Sequence, residues 1–309
     1  MRILLHRRDG VYEDWLAAFA HYLPEAQVVV WEEGKAIDPC DYAVLFVPPP
    51  GILADLAKVK AIFCTGAGVD ALLKLGEQLP PVPIVRLADA GMGVQMAEYV
   101  THAVLRYYRR FDDYQVVARQ GLWEQLPAYD KQDFTVGVLG AGALGSHVIG
   151  ALRHFGFPLR AWSRTPKDLS GVACYHGPAQ LDSFLQGLRV VVCMLPLTPD
   201  TANLLDRARL SLLAPGGYVI NVARGGLLAE PDLLALITAG QLAGATLDVF
   251  RNEPLPPQHP FWQEPRITIT PHISALTLCR EAVEQISGKI RAMARGELVA
   301  DIVNRTLGY

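Results

Sequence analysis

The glycine-rich segment that spans residues 135 to 145 constrains the fold of this chain more than any other feature. It reads Thr-Val-Gly-Val-Leu-Gly-Ala-Gly-Ala-Leu-Gly, so an apolar, partly β-branched run leads into Gly140, Gly142 and Gly145. Gly140 permits a tight turn, Gly142 leaves room for a pyrophosphate, and Gly145 lets a following helix pack closely on the strand. The N-terminus of that helix would supply N–H groups and a positive dipole end. The pattern predicts the strand, turn and helix of a dinucleotide-binding fold.

The composition predicts a globular protein and argues against several classes of partner. Of the 309 residues, 51% are hydrophobic and 19% are charged, which is typical of a folded, soluble chain. The formal net charge is −3 and the chain has no lysine or arginine cluster, which argues against a nucleic-acid or anionic-membrane surface. No segment approaches the roughly 18 apolar residues of a transmembrane helix, and the apolar run at the N-terminus is too short for a signal peptide.

The five cysteines lack the paired spacing of a metal or redox motif. They are Cys40, Cys64, Cys174, Cys193 and Cys279. Several lie in apolar, strand-like runs, where a buried free thiol is the ordinary explanation. These features predict a cytoplasmic protein without a metal site.

Strand-like and helical patterns alternate along the chain in two successive runs. The first run contains predicted strands at residues 2–5, 27–31, 42–47, 61–64 and 84–86. The second contains predicted strands at residues 135–139, 159–162, 190–194, 217–221, 245–248 and 267–269. Such alternation predicts parallel sheets that are covered by helices on both faces. We therefore expect an α/β fold with two doubly wound, Rossmann- or flavodoxin-like domains and an active site in the cleft between them.

Two helical patterns set the expected domain organisation. Residues 95 to 117 form an amphipathic pattern without internal proline or glycine, which predicts one rigid helix that joins two domains. The last helical pattern runs through Ala282 and Ile286 to Met293 and is expected to return to the first domain. We therefore expect a discontinuous substrate domain, residues 1–98 with 276–309, and a nucleotide-binding domain, residues 99–275.

Three polar residues follow three strands of the second run. Arg224 follows the strand that ends at residue 221, Glu253 the strand that ends at residue 248, and His272 the strand that ends near residue 269. Ligands of open parallel sheets lie beyond the carboxyl ends of the strands, so these side chains are expected at one edge. Taken singly, each could be a salt-bridge partner, a turn residue or a capping histidine. Their joint placement favours a site.

The three side chains suit the reduction of a carbonyl beside a nicotinamide. Addition of a hydride leaves an alkoxide that needs a proton, and histidine is well suited to supply it near neutral pH. A carboxylate that is hydrogen-bonded to the imidazole orients the ring and favours its protonated form. An arginine can bind a substrate carboxylate through two hydrogen bonds and polarise the neighbouring carbonyl.

Four motifs occur in a fixed order in the second run. They are Gly-Ala-Gly-Ala-Leu-Gly at residues 140–145, Asn-Val-Ala-Arg-Gly-Gly at 221–226, Leu-Asp-Val-Phe-x-x-Glu-Pro-Leu at 247–255 and Thr-Pro-His at 270–272. In this order they resemble the motifs of the D-isomer-specific 2-hydroxyacid dehydrogenase family. Further segments are similar to its glyoxylate/hydroxypyruvate reductase A branch: residues 65–70, 89–93, 109–114 and 162–165, and the terminal Gly308-Tyr309, of which Tyr309 lies outside the residues that the structure describes. The resemblance spans the whole chain.

The resemblance implies roles for five residues of the expected active site. It makes Arg224 and His272 catalytic, and it makes Glu253 the residue that supports His272. Arg224 would also bind the substrate. The backbone N–H groups of Gly68 and Val69 would contact the substrate carboxylate.

The end of the second strand of the nucleotide-binding run indicates the preferred cofactor. NAD-specific folds place an acidic residue there to bind the ribose 2′-hydroxyl. This chain has Ser163, Arg164 and Thr165 instead, and Arg164 can pair with a 2′-phosphate. We expect NADPH to be preferred and NADH to be the weaker substitute. The other expected cofactor-binding residues are Gly140, Gly142, Ala143, Leu144, Gly145, Leu195, Pro196, Thr201, Val222, Ala223 and, by the resemblance, Asp248.

The resemblance implies an NADPH-dependent oxidoreductase that reduces glyoxylate to glycolate and hydroxypyruvate to D-glycerate. Phe46 lies at an expected pocket wall, although a proline-stiffened loop explains its segment equally well. One alternative is a D-2-hydroxyacid dehydrogenase with another substrate preference. A second is a nucleotide-sensing corepressor on the same fold, which would be expected to add a peptide-binding surface or a disordered tail.

The family is typically dimeric through its cofactor-binding domain. Residues 120 to 129 contain Leu122 and Trp123 and resemble an exposed arm that is suited to such an interface. We therefore expect a homodimer whose only other partner is a small 2-oxo or 2-hydroxy acid.

Overall fold

The computed structural model describes residues 1–308. The chain divides into two compact units. Met1–Gly91 forms the first unit together with the segment from Thr277 onward, and Met92–Leu276 forms the second unit. The expected boundary between residues 98 and 99 would cut through a helix, Met92–Tyr108, that lies wholly in the second unit. The compact unit therefore begins at the start of this helix.

Parallel strands form the frame of each unit. In chain order the strands are β1 (Arg2–Arg7), β2 (Gln27–Val30), β3 (Tyr42–Phe46), β4 (Ala61–Cys64), β5 (Ile84–Val85), β6 (Val136–Leu139), β7 (Leu159–Ser163), β8 (Ala173–His176), β9 (Val190–Cys193), β10 (Gly217–Asn221), β11 (Leu242–Leu247) and β12 (Ile267–Ile269). The order is β2-β1-β3-β4-β5 in the first unit and β12-β11-β10-β9-β6-β7-β8 in the second. All neighbouring strands pair in parallel. The predicted α/β class with two parallel-sheet domains is confirmed.

Helices connect the strands of both sheets. In chain order they are α1 (Glu13–Tyr22), α2 (Asp70–Leu73), α3 (Met92–Tyr108), α4 (Phe111–Arg119), α5 (Ala143–His154), α6 (Leu181–Leu185), α7 (Arg207–Leu210), α8 (Glu230–Thr238) and α9 (Cys279–Ala294). Short 3₁₀ helices span Pro50–Leu56, Gly76–Gln78, Pro178–Gln180, Gly225–Leu227 and Pro260–Gln263. Within residues 1–308, no helix combines the length and the apolar character that a membrane crossing requires.

The central strands of the second unit are buried on both faces. In β6, Val136 and Val138 face one apolar core, whereas Leu139 faces another. In β9, Val190 and Val191 divide between the same two cores. Parallel strands that are covered on both sides read as nearly continuous apolar runs, which is why the sequence predicted them well.

The strand order of the second unit reverses at β6. The chain moves outward from β6 to β7 on one side, whereas β9, the strand on its other side, leads outward to β10 and β11. A reversal of this kind opens a crevice at the carboxyl ends of the two central strands, where α/β proteins bind their ligands. The glycine turn of residues 140 to 142 lies directly after β6.

The expected single helix over residues 95 to 117 is wrong, because the chain breaks it. α3 ends at Tyr108 and α4 begins at Phe111, and Arg110 between them has a left-handed backbone conformation with φ 59°. Charged contacts accompany the break, and the helical periodicity does not reveal them. Asp112 and Asp113 lie in the first turn of α4, where carboxylates are favoured, and they bond to Arg106 (2.8 Å) and Arg110 (2.7 Å).

The eleven predicted strands are present as β1–β7 and β9–β12. The sequence analysis missed β8, the edge strand Ala173–His176. Its residues are exposed or half-buried, so they form neither a long apolar run nor a strict alternation of apolar and polar positions. An edge strand needs little apolar surface, and its pattern is correspondingly weak.

Candidate active site

Steric contacts explain two of the three glycines in the turn after β6. Gly140 has φ 120°, a conformation that favours glycine, and an added Cβ would lie 2.8 Å from the carbonyl oxygen of Met194. An added Cβ at Gly145 would lie only 1.9 Å from the carbonyl oxygen of Gly140. The turn and the first turn of α5 therefore pack backbone against backbone, as the sequence predicted.

The N-terminus of α5 fits the pyrophosphate of a dinucleotide. Gly142 occupies the N-cap position of this 12-residue helix, and both Gly142 and Ala143 are exposed. An added Cβ at Gly142 would meet no described atom within 4 Å, so the backbone is open to close approach. Leu144 is half-buried behind them. The first N–H groups of a helix lack partners within it and attract anions.

The end of β7 presents hydroxyl and guanidinium groups without a carboxylate. Ser163 ends the strand, and its hydroxyl donates a hydrogen bond to the carbonyl of Thr165 (2.7 Å). Arg164 and Thr165 are exposed at this carboxyl end of the sheet. A short turn thus presents the arginine at the position where NAD-specific folds carry an acid.

The loop after β9 uses the hydroxyl of one expected cofactor residue for its own folding. The Thr201 hydroxyl donates to the carbonyl of Pro196 (2.7 Å) and accepts from the backbone N–H of Thr198 (2.8 Å). Leu195 is 8% exposed and contributes to an apolar core. This loop begins at the carboxyl end of β9, next to the glycine turn. The expected contacts of Leu195, Pro196 and Thr201 with a cofactor stay predictions.

A buried asparagine folds the turn that carries Arg224. Asn221 is fully buried at the end of β10; its amide nitrogen donates to the carbonyl of Arg224 (3.0 Å), and its amide oxygen accepts from the N–H of Ala223 (3.2 Å). Val222 and Ala223 are buried in this turn, whereas the Arg224 side chain is half-buried. Sequence reasoning gave Asn221 no role. A buried polar residue at the end of an apolar strand is the signal that could have revealed it.

Close packing joins the turn of Arg224 to the loop of Glu253. An added Cβ at Gly225 would lie 1.9 Å from the carbonyl carbon of Phe250 and 2.3 Å from the backbone nitrogen of Arg251. Only glycine can therefore occupy this position without displacing one of the two loops. The contact brings Arg224 into the electrostatic environment of Glu253, where its charge lowers the pKa of that carboxyl.

His272 and Glu253 form the expected pair. The imidazole Nδ1 lies 2.8 Å from Oε2 of Glu253, and Oε1 of Glu253 accepts the N–H of Phe250 (3.0 Å). Because the ionised carboxylate only accepts, Nδ1 carries the proton of this bond, and Nε2 is the ring atom left to act on a ligand. The His272 side chain is 44% exposed, so a ligand can reach it.

The pKa of Glu253 lies below its usual value. Partial burial acts to raise it, but the hydrogen bonds from His272 and from the N–H of Phe250 outweigh that effect. The charges of His272 and Arg224 lower it further. Glu253 therefore remains ionised at neutral pH and accepts the hydrogen bond from the His272 ring.

Asp248 anchors the segment that carries His272. This residue is completely buried, and its carboxylate accepts hydrogen bonds from the Thr270 hydroxyl (2.6 Å) and from the backbone N–H groups of Ile273 (2.8 Å) and Ser274 (2.8 Å). Its backbone carbonyl accepts the N–H of His272 (2.9 Å). The expected contact of Asp248 with a nicotinamide carboxamide stays a prediction, and the structure adds this anchoring role.

His272 itself has a backbone conformation that histidine rarely adopts. Its φ is 57°, in the left-handed region, which costs a residue with a Cβ roughly 1–2 kcal/mol. The hydrogen bonds to Asp248 hold the turn in this shape. Backbone strain that the surroundings maintain is found most often at functional sites.

The expected substrate residues of the first unit lie after β3 and β4. Phe46 ends β3, and its ring lies 5.2 Å from the guanidinium carbon of Arg7. Gly68 is exposed and Val69 is buried in the turn between β4 and α2. The contacts of these three residues with a substrate stay predictions.

The described groups of the second unit support one kind of chemistry. An imidazole can exchange a proton through Nε2 while an ionised carboxylate holds it in place, and a guanidinium lies on the adjoining loop. All three follow strands of the sheet that also carries the glycine turn. The arrangement suits proton transfer to or from the oxygen of a carboxylate-bearing ligand beside a bound dinucleotide.

Comparison with known families gives a match over more than half of the chain. Residues 101–274 match the family described as "D-isomer specific 2-hydroxyacid dehydrogenase, NAD binding domain". The chain is also 47% identical to a protein of Serratia proteamaculans and 45% identical to one of Yersinia enterocolitica, each over 314 residues that cover 100% of both chains. Both relatives are named glyoxylate/hydroxypyruvate reductase A.

Two solved structures resemble the chain over its full length. A D-isomer specific 2-hydroxyacid dehydrogenase from Xanthobacter autotrophicus, in complex with NADPH and MES, is 38% identical with a TM-score of 0.95. An NADPH-dependent glyoxylate/hydroxypyruvate reductase from Sinorhizobium meliloti, in complex with NADP and sulfate, is 32% identical with a TM-score of 0.94. Each comparison covers 100% of this chain and 99% of the other.

Proposed function

Because the chain belongs to the D-isomer specific 2-hydroxyacid dehydrogenase family, we propose that it reduces small 2-oxo acids with NADPH. The substrates are glyoxylate, which gives glycolate, and hydroxypyruvate, which gives D-glycerate. The observation that carries the proposal is the His272–Glu253 pair, 2.8 Å apart, on the sheet whose central strand leads into the glycine turn. Full-length relatives that are named for this activity support the choice of substrates.

Each site residue has a distinct part in the reaction. Reduced nicotinamide, when bound, supplies the hydride that reaches C2 of the 2-oxo acid. His272 donates the proton on Nε2 to the carbonyl oxygen as negative charge develops there, so the product is a neutral hydroxyl group. Glu253 holds the ring through Nδ1. Arg224 binds the substrate carboxylate and polarises the carbonyl.

A rate panel tests this proposal. We expect glyoxylate and hydroxypyruvate to have the highest kcat/KM with NADPH, pyruvate to be slower, and phenylpyruvate, which carries a bulky side chain, to be poor. The His272→Ala variant should lose roughly 10²–10⁴ in kcat, the usual contribution of general acid catalysis. A phenylpyruvate kcat/KM above those of the other three acids would exclude the proposed substrates. A His272→Ala variant at full speed would refute the mechanism.

The cofactor preference rests on the charge at the end of β7. Arg164 is exposed there, and the segment Ser163–Thr165 contains no carboxylate that would repel a 2′-phosphate. A guanidinium binds phosphate through charge-assisted hydrogen bonds, and neighbouring hydroxyl groups can add to them. The solved relatives that contain NADPH or NADP support the same preference.

Reversal of the charge at Arg164 tests the preference. We expect Arg164→Asp to lower kcat/KM with NADPH by about tenfold to a hundredfold, the range for one or two charged hydrogen bonds, with a much smaller effect on NADH. Initial rates with both cofactors give the ratio of kcat/KM with NADPH to kcat/KM with NADH. Arg153→Asp is the matched control, because Arg153 is exposed at the opposite end of α5 and should leave the ratio unchanged. Equal wild-type efficiency with both cofactors would contradict the assignment.

The Glu253 carboxylate predicts the pH dependence of the reaction. Reduction needs protonated His272, so kcat/KM should fall as the imidazole loses its proton with rising pH. Because Glu253→Gln replaces the carboxylate beside the ring with a neutral amide, this falling limb should move to lower pH. The NADPH affinity should change little.

A matched variant separates this effect from a general change of charge. Glu264 is also ionised and paired, with Arg266 at 2.7 Å, but lies outside the His272 pair. Glu264→Gln should leave the pH profile where it is. If the Glu253→Gln profile coincides with that of the wild type, Glu253 has only a structural role.

We also propose that the protein is a homodimer through α4 and the segment after it. Phe111, Val116, Leu122 and Trp123 are each more than half exposed, and Trp123 is fully exposed. A shallow groove of about 430 Å³ lies beside them, lined by Phe111, Tyr114 and residues of α3. Light scattering at micromolar concentration should give twice the mass of one chain. The Trp123→Asp variant should give a mass closer to that of a single chain. A wild-type monomer would exclude this assembly.

The proposed location is the cytoplasm. All five cysteines in the described part of the chain are free, and three of them are buried. Free thiols are typical of compartments that keep cysteine reduced.

A further inference from the structure

We propose that Gln95 and Tyr99, two side chains of α3, are positioning residues for the proton donor His272. They hold the two ends of one short segment, residues 270–276, which carries His272 near its middle. Neither side chain needs to touch the substrate or the cofactor. The inference rests on the proposed function and adds to it the residues that fix the geometry of the acid.

Tyr99 holds the first end of the segment through a chain of hydroxyl groups. Its hydroxyl lies 2.5 Å from the Thr270 hydroxyl, which lies 2.6 Å from the buried carboxylate of Asp248. The carboxylate can only accept, so Thr270 donates its one proton to Asp248. Tyr99 must therefore donate to Thr270. The Asp248 carboxylate, which can only accept, thus sets the direction of both bonds.

The environment of Tyr99 keeps it a donor. Burial raises the pKa of its hydroxyl to about 12, so the hydroxyl keeps its proton at neutral pH and can donate it.

Gln95 holds the other end of the segment through two hydrogen bonds. Its side-chain nitrogen donates to the carbonyl of Leu276 (2.9 Å), and its side-chain oxygen accepts from the N–H of the same residue (3.1 Å). One amide group therefore pairs with the whole backbone of Leu276, much as a neighbouring strand would. This pairing fixes both the position and the orientation of that residue.

Gln95 and Tyr99 are four residues apart on α3, which places both side chains on the helix face that contacts the segment. Positions four apart in a helix lie on the same face, one turn above the other, so Gln95 and Tyr99 face the segment together. Between its ends, Asp248 accepts the N–H groups of Ile273 and Ser274 (both 2.8 Å). The segment is thus tied at both ends and in the middle.

These ties fix the position of the His272 ring relative to Glu253. His272 has a left-handed backbone conformation, φ 57°, which is maintained only where the surroundings hold it. A change in this conformation would disturb the 2.8 Å contact between the ring and Glu253. Loss of Gln95 or Tyr99 should therefore weaken proton donation and leave the binding of substrate and cofactor largely intact.

The test uses variants that remove hydrogen bonds and keep the size of the side chain. We expect Tyr99→Phe and Gln95→Met each to lower kcat for glyoxylate reduction by about threefold to tenfold, the effect of one or two neutral hydrogen bonds. Thr270→Val should lower it by about tenfold to a hundredfold, because it removes a bond to a buried carboxylate. In Tyr99→Phe and Gln95→Met, KM and the dissociation constant of NADPH should stay within about twofold. Thr270→Ser keeps the hydroxyl that Thr270→Val removes, and it should therefore keep the wild-type kcat.

The pH profile separates positioning from a loss of stability. A displaced imidazole loses the support of Glu253, so the falling limb of kcat/KM should move to lower pH in Tyr99→Phe, Gln95→Met and Thr270→Val. Tyr107→Phe is the matched control. Tyr107 lies on the same helix, and its hydroxyl donates to the carbonyl of Gly216, away from the segment. This control should keep the wild-type kcat and pH profile even if its thermal stability falls.

A measurement without turnover keeps the inference distinct from the proposed function. Hydrogen exchange of the Ile273 and Ser274 amides should accelerate by about tenfold or more in Tyr99→Phe, Gln95→Met and Thr270→Val, and should not change in Tyr107→Phe. If the wild type fails to reduce glyoxylate, the proposed function fails, whatever the exchange shows. If the wild type is active and the variants retain its kcat, pH profile and amide exchange, the positioning role is refuted.

Discussion

The buried carboxylate of Asp248 is the interaction on which the rest of the site depends. It lies directly after β11, is fully shielded from solvent and accepts three hydrogen bonds from residues 270–274. A carboxylate without water is costly unless several donors surround it, so the backbone of this segment must take the shape that supplies them. That shape places His272 in a left-handed conformation and directs its ring to Glu253. The hydrogen bonds of one buried carboxylate thus shape the turn that carries His272.

Much of the fold could be predicted because its information is local. The central strands are apolar runs buried on both faces, and Gly145 is required by a contact with the backbone of Gly140 in the same turn. The break between α3 and α4 could not be predicted from periodicity, because the apolar spacing continues across Arg110 and the ion pairs of Asp112 and Asp113 leave no trace in it. The edge strand β8 was missed because it buries too little to leave a pattern.

The site could be predicted only in its chemically distinctive members. Histidine, arginine and glutamate after strand ends are conspicuous, and the motifs around them resemble those of a known family. The residues that hold these side chains are ordinary polar ones whose partners lie far away in the chain. Tyr99 meets Thr270 across 171 positions, and Gln95 meets Leu276 across 181. A single sequence contains no signal for such distant hydrogen bonds, so they emerge only from the folded chain.

The two-point attachment to α3 also limits how the length of this part of the chain can vary. Gln95 and Tyr99 are separated by about 6 Å along the helix axis, and a single inserted residue between them would rotate one by about 100° away from the other. An insertion or a deletion in either partner would detach one end of the segment. Homologous chains should therefore keep a constant number of residues between these attachment points, on the helix and on the segment alike, while loops elsewhere lengthen and shorten freely.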